Sequence, residues 1–289
     1  MKTIKYILGI FLTTMSFGAF AQGLEGIVVE KYYLTDAADA ANATSEGAAS
    51  SLVVGSTVYR VYVDMAAGYK FSAIYGSSTH NLTVNSTTNF YNDPNYGVSV
   101  NPGTVSLANI VKHTAMIDSW FTTGGVGGGK AGVMKSEDAD GSLGNVNSVL
   151  ANDGGSCYGL PINGAGSQDG FANGAVSTYV VPNTLGVDAA LDALDQTPGN
   201  SVIISNGTIA ALGGVVGATG SNMVCIGQFT TDGVFTFALN VQIINVGTGI
   251  AENYVASSPI SGELTHPSLT YSSTGVAPTV SITAPASGA

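Results

Sequence analysis

The sequence predicts an all-β protein: an antiparallel β-sandwich, jelly-roll-like, with long Gly/Asn-rich loops and at most one or two short helices. Three observations carry this. Glycine occurs 39 times and charged residues make up only 9%, a profile of strands joined by turns. Hydrophobic residues reach 45%, enough to support a buried core and to argue against disorder. Several segments alternate apolar and polar side chains with period two. The cleanest is 234–243, where Phe235, Phe237, Leu239, Val241 and Ile243 share one face and Thr236, Ala238, Asn240 and Gln242 the other. Such a face must pack against a second sheet.

Residues 26–34 read as the first strand, with Val28, Glu30 and Tyr32 on one face and Ile27, Val29, Lys31 and Tyr33 on the other. Residues 35–55 form a small-residue, acidic loop whose alanines allow one short helical turn. Residues 57–64 alternate clearly, and 69–75 follow after a turn at Ala67-Gly68, which predicts a hairpin. Residues 81–90 are extended, and Asn92-Asp93-Pro94-Asn95 is a turn. Residues 106–121 read equally as helix or as two short strands. Strands are expected at 177–181, 202–205 and 223–229, with a hairpin turn at Asn206-Gly207. The best helix is Asp188-Ala189-Ala190-Leu191-Asp192-Ala193-Leu194-Asp195, ended by Pro198-Gly199.

The start of the chain has the form of a secretory signal peptide over residues 1–21. Lys2 and Lys5 precede an apolar core from Ile7 to Phe17, and Ala19-Phe20-Ala21 supplies a small-x-small cleavage pattern before Gln22. That core is too short to span roughly 30 Å of hydrocarbon. The expected organisation is one sandwich over residues 22–272, with a division into two β-halves near 141–174 as the alternative. A linker follows at 273–279. Val280 and Ile282 alternate with Ser281 and Thr283, the opening strand of a further β-domain at 280–289.

The formal net charge is −11, and no Lys or Arg occurs after Lys135. Phosphate binding relies on basic side chains, so nucleic acid is excluded as an expected partner and anionic membrane surfaces are disfavoured. No segment after residue 21 is long and apolar enough to cross a bilayer, so membrane insertion is not expected. The only cysteines are Cys157 and Cys225. Outside the cytoplasm they are expected to pair, closing a long loop for about 3–4 kcal/mol; two free buried thiols are the other reading.

No motif amounts to a catalytic site. Gly124-x4-Gly129-Lys130 mimics a phosphate loop, but Ala131 stands where a magnesium ligand is needed. His80, His113 and His266 are isolated. Ser136-x-Asp138-x-Asp140-Gly141 has oxygen ligands at alternate positions and a glycine at the turn, the pattern of a calcium loop. Ser136 replaces the usual aspartate, Asn147 stands in place of the bidentate glutamate, and Asp118 is a candidate to complete the set. No other cofactor is expected. Trp120, Tyr91 and Tyr96 are candidates to stack on sugar rings, against the plainer reading of aromatic packing.

Glu30-Lys31-Tyr32-Tyr33, the stretch from Thr57 to Met65, Asp118-Ser119-Trp120, the stretch from Lys135 to Ser142, Ala211-Leu212-Gly213-Gly214-Val215 and the stretch from Asp232 to Phe237 together resemble an N-terminal module of large exported Bacteroidetes surface proteins. The stretch from Pro278 to Pro285 resembles the start of a bacterial Ig-like repeat. The resemblance implies export by a type IX route and a structural or adhesive role, with no catalytic residues to carry over. The expected function is thus a non-catalytic exported module of the cell surface or extracellular space. Glycan binding is the alternative, and a secreted hydrolase ranks third. The expected partners are surface glycans, other surface proteins or further copies of the chain.

Overall fold

A computed structural model describes residues 23–48, 51–105, 115, 117–124, 181–195, 198–217 and 222–274. In chain order it begins with β1 (Leu24–Leu34), α1 (Ala37–Glu46), β2 (Thr57–Met65), β3 (Tyr69–Gly76), β4 (Leu82–Asn85) and β5 (Trp120–Phe121). It resumes with β6 (Pro182–Leu185), α2 (Asp188–Leu191), β7 (Ser201–Ile204), β8 (Gly207–Val215) and β9 (Met223–Thr231). β10 (Thr236–Ala238), β11 (Val241–Asn245), β12 (Ala251–Tyr254), β13 (Glu263–Leu264) and β14 (Thr270–Ser272) complete it. The fold is all-β, with two short helices among the described residues.

Three sheets form, ordered β1-β2-β9-β5, β14-β10-β4-β7 and β13-β12-β11-β3-β8-β6. All strand pairs are antiparallel except β12 with β13. Strands from before and after residues 141–174 sit side by side in every sheet, so both parts of the chain share one core. Val61, Val63 and Ile226 of the first sheet, Phe237, Val84 and Val202 of the second, Ile74, Ile209 and Val241 of the third, and Phe235 just before β10 belong to one buried cluster. Each large apolar side chain so buried contributes about 1.5–3 kcal/mol. Phe235 stands at the centre of its aromatic part, 4.9 Å from the Tyr59 ring and 5.4 Å from Phe229.

The second and third sheets are one bent surface. The neighbours β10, β4 and β7 continue, in the same order, as β11, β3 and β8. Val241 faces Ile74 and Ala238 faces Thr83, so the middle strand alone carries extra residues at the crease. These loop out between β3 and β4, where Ser77 and His80 exchange backbone hydrogen bonds. Asn240, fully buried at the same level, donates from Nδ2 to the carbonyls of Tyr75 and His80 and accepts from the Ala256 amide. Gly76 lies so close to the Ile204 carbonyl that a β-carbon there has no room.

This geometry corrects both expected hairpins. The turn at Ala67-Gly68 takes the chain from β2 in the first sheet to β3 in the third, and β2 and β3 do not pair. Asn206-Gly207 leads from β7 into β8, which continues past the crease, and the two strands do not pair either. The alternating run 234–243 keeps its five apolar residues buried, yet it divides at Asn240 between two sheets.

The loop 35–55 holds a ten-residue helix instead of one turn. Asp36 caps it, accepting from the amides of Ala38 and Asp39 at 2.7 and 3.0 Å, while Asp39 reaches back to the Asp36 amide at 2.7 Å. This reciprocal cap satisfies amide donors that the first turn leaves without helical partners. Gly47 ends the helix at φ 79°. Asp39 also accepts from the Tyr33 hydroxyl at 2.8 Å, which fastens α1 to β1.

Candidate functional site

The first sheet is buried on both faces, and its second face is where the chain's polar side chains converge. Along β2, Tyr59, Val61, Val63 and Met65 point into the main core, while Val58, Arg60 and Tyr62 point the other way. A bulge at β1 skips Tyr32 in the pairing with β2, so Tyr32 and Tyr33 join the same cluster instead of opposite faces. A second bulge in β9, between Cys225 and Gly227, reverses parity and brings Gln228 opposite Arg60.

Arg60 is completely buried. Its guanidinium lies 3.3 Å from the centre of the Tyr32 ring, and its Nε donates to Gln228 Oε1 at 3.0 Å. Gln228 in turn donates to the Asp118 carbonyl at 2.8 Å, and Tyr62 donates to Glu30 at 2.8 Å. Burial opposes the arginine's charge, but Tyr32, Tyr62 and Glu30 outweigh it and raise the Arg60 pKa. This cluster joins β1, β2 and β9 to the turn before β5.

Asp118 is also part of the frame. It is 1% exposed and accepts from the amides of Asp93 and Val98 at 2.9 and 2.7 Å. Burial raises its pKa well above the carboxylate range, against the opposing effect of those backbone donors. Gly97 supplies the space for this carboxylate. Ser136, Asp138 and Asp140 lie outside the described residues, as do His113 and most of the 124–132 glycine loop.

Cys225 is buried and has no disulfide partner among the described residues. Burial raises its pKa to about 12 in spite of Arg60 nearby, so it carries no nucleophilic thiolate. Cys157 lies outside the described residues, and their pairing stays an expectation from the sequence.

The aromatic platform requires correction. Trp120 is 1% exposed and Tyr91 3%, both packed in the second cluster with Ile117, Tyr32 and Met223. Their faces are closed to a ligand. Tyr96 is half-buried against Val105 and Ala115. Aromatic residues of this size are drawn inside by the area they bury, and only a β-bulge or a loop contact reveals which ones.

Concavity occurs elsewhere, in a cleft of about 450 Å³ at one end of the first sheet. Ser56, at the entry to β2, and Thr231, at the end of β9, form part of its lining with Thr88, Asn89, Phe90 and Asp232. Thr88 donates to Asp232 Oδ1 at 2.6 Å, and its oxygen lies 2.9 Å from that of Thr231. Thr231 is in turn 2.7 Å from Ser86 Oγ. Because Thr88 gives its proton to the carboxylate, Thr231 donates to Thr88 and Ser86 to Thr231. Asp232 is the one ionisable group here apart from the Tyr91 phenol. Of these cleft residues the sequence marks only Tyr91 as a candidate; Thr88 and Asn89 belong to a segment that reads as extended, and Asp232 only opens the stretch to Phe237.

The chain matches no family model, no curated protein and no solved structure.

Proposed function

We propose that this chain is a non-catalytic, structural and adhesive module of an exported bacterial cell-surface or extracellular protein. The observation that carries the reading is where the polar groups go. Glu30 holds Tyr62, Asp39 caps a helix, and Asp118 binds two backbone amides. Glu252 accepts from Tyr69, Tyr254 and the Gly23 amide, and Glu263 lies 2.9 Å from His80. Each of these ties separate strands or turns together. The cleft, with a single carboxylate, offers no pair of carboxyl groups for acid–base work. The signal-peptide pattern over residues 1–21 supports export. No helix among the described residues is long and apolar enough to cross a membrane.

The test is to express the whole reading frame in a bacterium with type IX secretion and recover the product. A mature N-terminus at Gln22 on protein that external protease can reach supports the reading, as does weakened surface attachment on deletion. Intracellular protein that retains Lys2 and Lys5, or hydrolysis of a polysaccharide by the purified chain, would overturn it.

A further inference from the structure

We infer that the cleft around Asp232 is a binding site for a neutral carbohydrate. This names a ligand for the adhesive module proposed above and rests on that reading for its biological meaning.

The argument begins with the hydroxyl chain. Ser86, Thr231 and Thr88 pass their protons in one direction, ending on Asp232 Oδ1. The Gly233 amide also donates to the Thr231 hydroxyl at 3.0 Å, taking its second lone pair. An exposed aspartate is thereby held by one oxygen, a pre-oriented acceptor rather than a freely rotating one. Asn89 beside it is exposed and offers both a donor and an acceptor. Val53 and Pro198, both exposed, line the cleft with these groups and give it an apolar back.

A carboxylate and an amide in front of an apolar wall match a ring with hydroxyls on its rim and C–H groups on its face. The cleft volume is within the range of small-molecule sites. Anionic ligands are disfavoured, since no Lys or Arg lines the cleft and the chain carries a net charge of −11. A lone ammonium would satisfy Asp232 but would leave Asn89 and the apolar back without partners.

The experiment is an amide-resolved NMR titration of the purified protein. Methyl glycosides of glucose, galactose, mannose and N-acetylglucosamine are the probes, with butylammonium and glucuronate as charged comparators. The expected result is saturable shifts at Thr88, Asn89 and Asp232 with at least one neutral glycoside, at Kd values on the order of 1 mM. Asp232→Asn should weaken that binding about ten-fold, the loss expected for a charge-assisted hydrogen bond. Thr88→Val leaves the carboxylate in place and should weaken binding by a smaller factor. Unchanged shifts elsewhere in both variants verify that the fold is kept. Silence with every neutral glycoside, or shifts with butylammonium alone, overturns the inference. The titration is scored without reference to where the protein is found, so it and the export test fail separately.

Discussion

The two faces of the β1-β2-β9-β5 sheet are equally buried and chemically opposite. One face packs Val61, Val63, Ile226 and Phe229 into the common core. The other packs Arg60, Glu30, Tyr62 and Gln228 around the Tyr32 ring, with Trp120 and Cys225 nearby. The apolar face gains by removing surface from water and tolerates small shifts. The polar face gains little from burial itself, because desolvation of Arg60 and Glu30 offsets much of their attraction. What it supplies is a single permitted register: Arg60 meets Gln228 only when the β9 bulge is where it is.

The largest expected effect is on the apolar side. Phe235→Ala removes the ring that meets Tyr59, Phe229, Phe90 and Tyr271, and should cost about 3–5 kcal/mol in urea denaturation. On the polar side, Glu30→Gln leaves Arg60 with less compensation for its charge and should cost about 3 kcal/mol. The double variant Glu30→Gln/Arg60→Met is the sharper test. It should cost clearly less than the two single losses added together. Simple additivity would show that these residues do not work as a unit, and the contrast between the faces would fall.

Asp36→Ala tests whether α1 is a separable cover attached through Tyr33. Loss of the cap should cost about 1 kcal/mol and accelerate hydrogen exchange within Ala37–Glu46 while the β2 amides stay protected. The smallest effect concerns Asp64, on the same side of β2 as Arg60. Burial and the neighbouring Glu25 raise its pKa to about 6. Its proton is therefore held more tightly in the folded chain than in the unfolded one, whose value lies near 3.8. Stability from this group is full below about pH 4 and is lost as the pH rises through about 6. Asp64→Asn should thus melt slightly higher than wild type above pH 6, with the difference vanishing near pH 4.

The same contrast explains how much of the molecule the sequence discloses. Alternation in 57–64 and 234–243 locates strands and their apolar face, because water selects for it directly. Turn chemistry at Gly68 and Asn206-Gly207 discloses a change of course but not which sheet receives the next strand, and both hairpins fail for that reason. Glu30, Arg60 and Gln228 look like solvated positions, since nothing local says that a second layer covers them. The Asp36–Asp39 spacing is a helix-start signal in the sequence, set in an alanine-rich loop. The cleft is less legible still: Thr88 and Asp232 are far apart in sequence and converge because the Tyr91 amide bonds to the Thr230 carbonyl and the Thr87 amide to the Val234 carbonyl.

The excursion between β3 and β4 lies between neighbours that cross the same level with only two residues separating β10 from β11 and β7 from β8. His80 and Asn240 pin its base, while Ser78 and Thr79 at the tip are exposed. A peptide spliced between those two residues would be carried by a strand that already tolerates a detour. The module should therefore accept an epitope or a reporter tag there and present it outward, a convenient handle on the protein while its surface chemistry is tested.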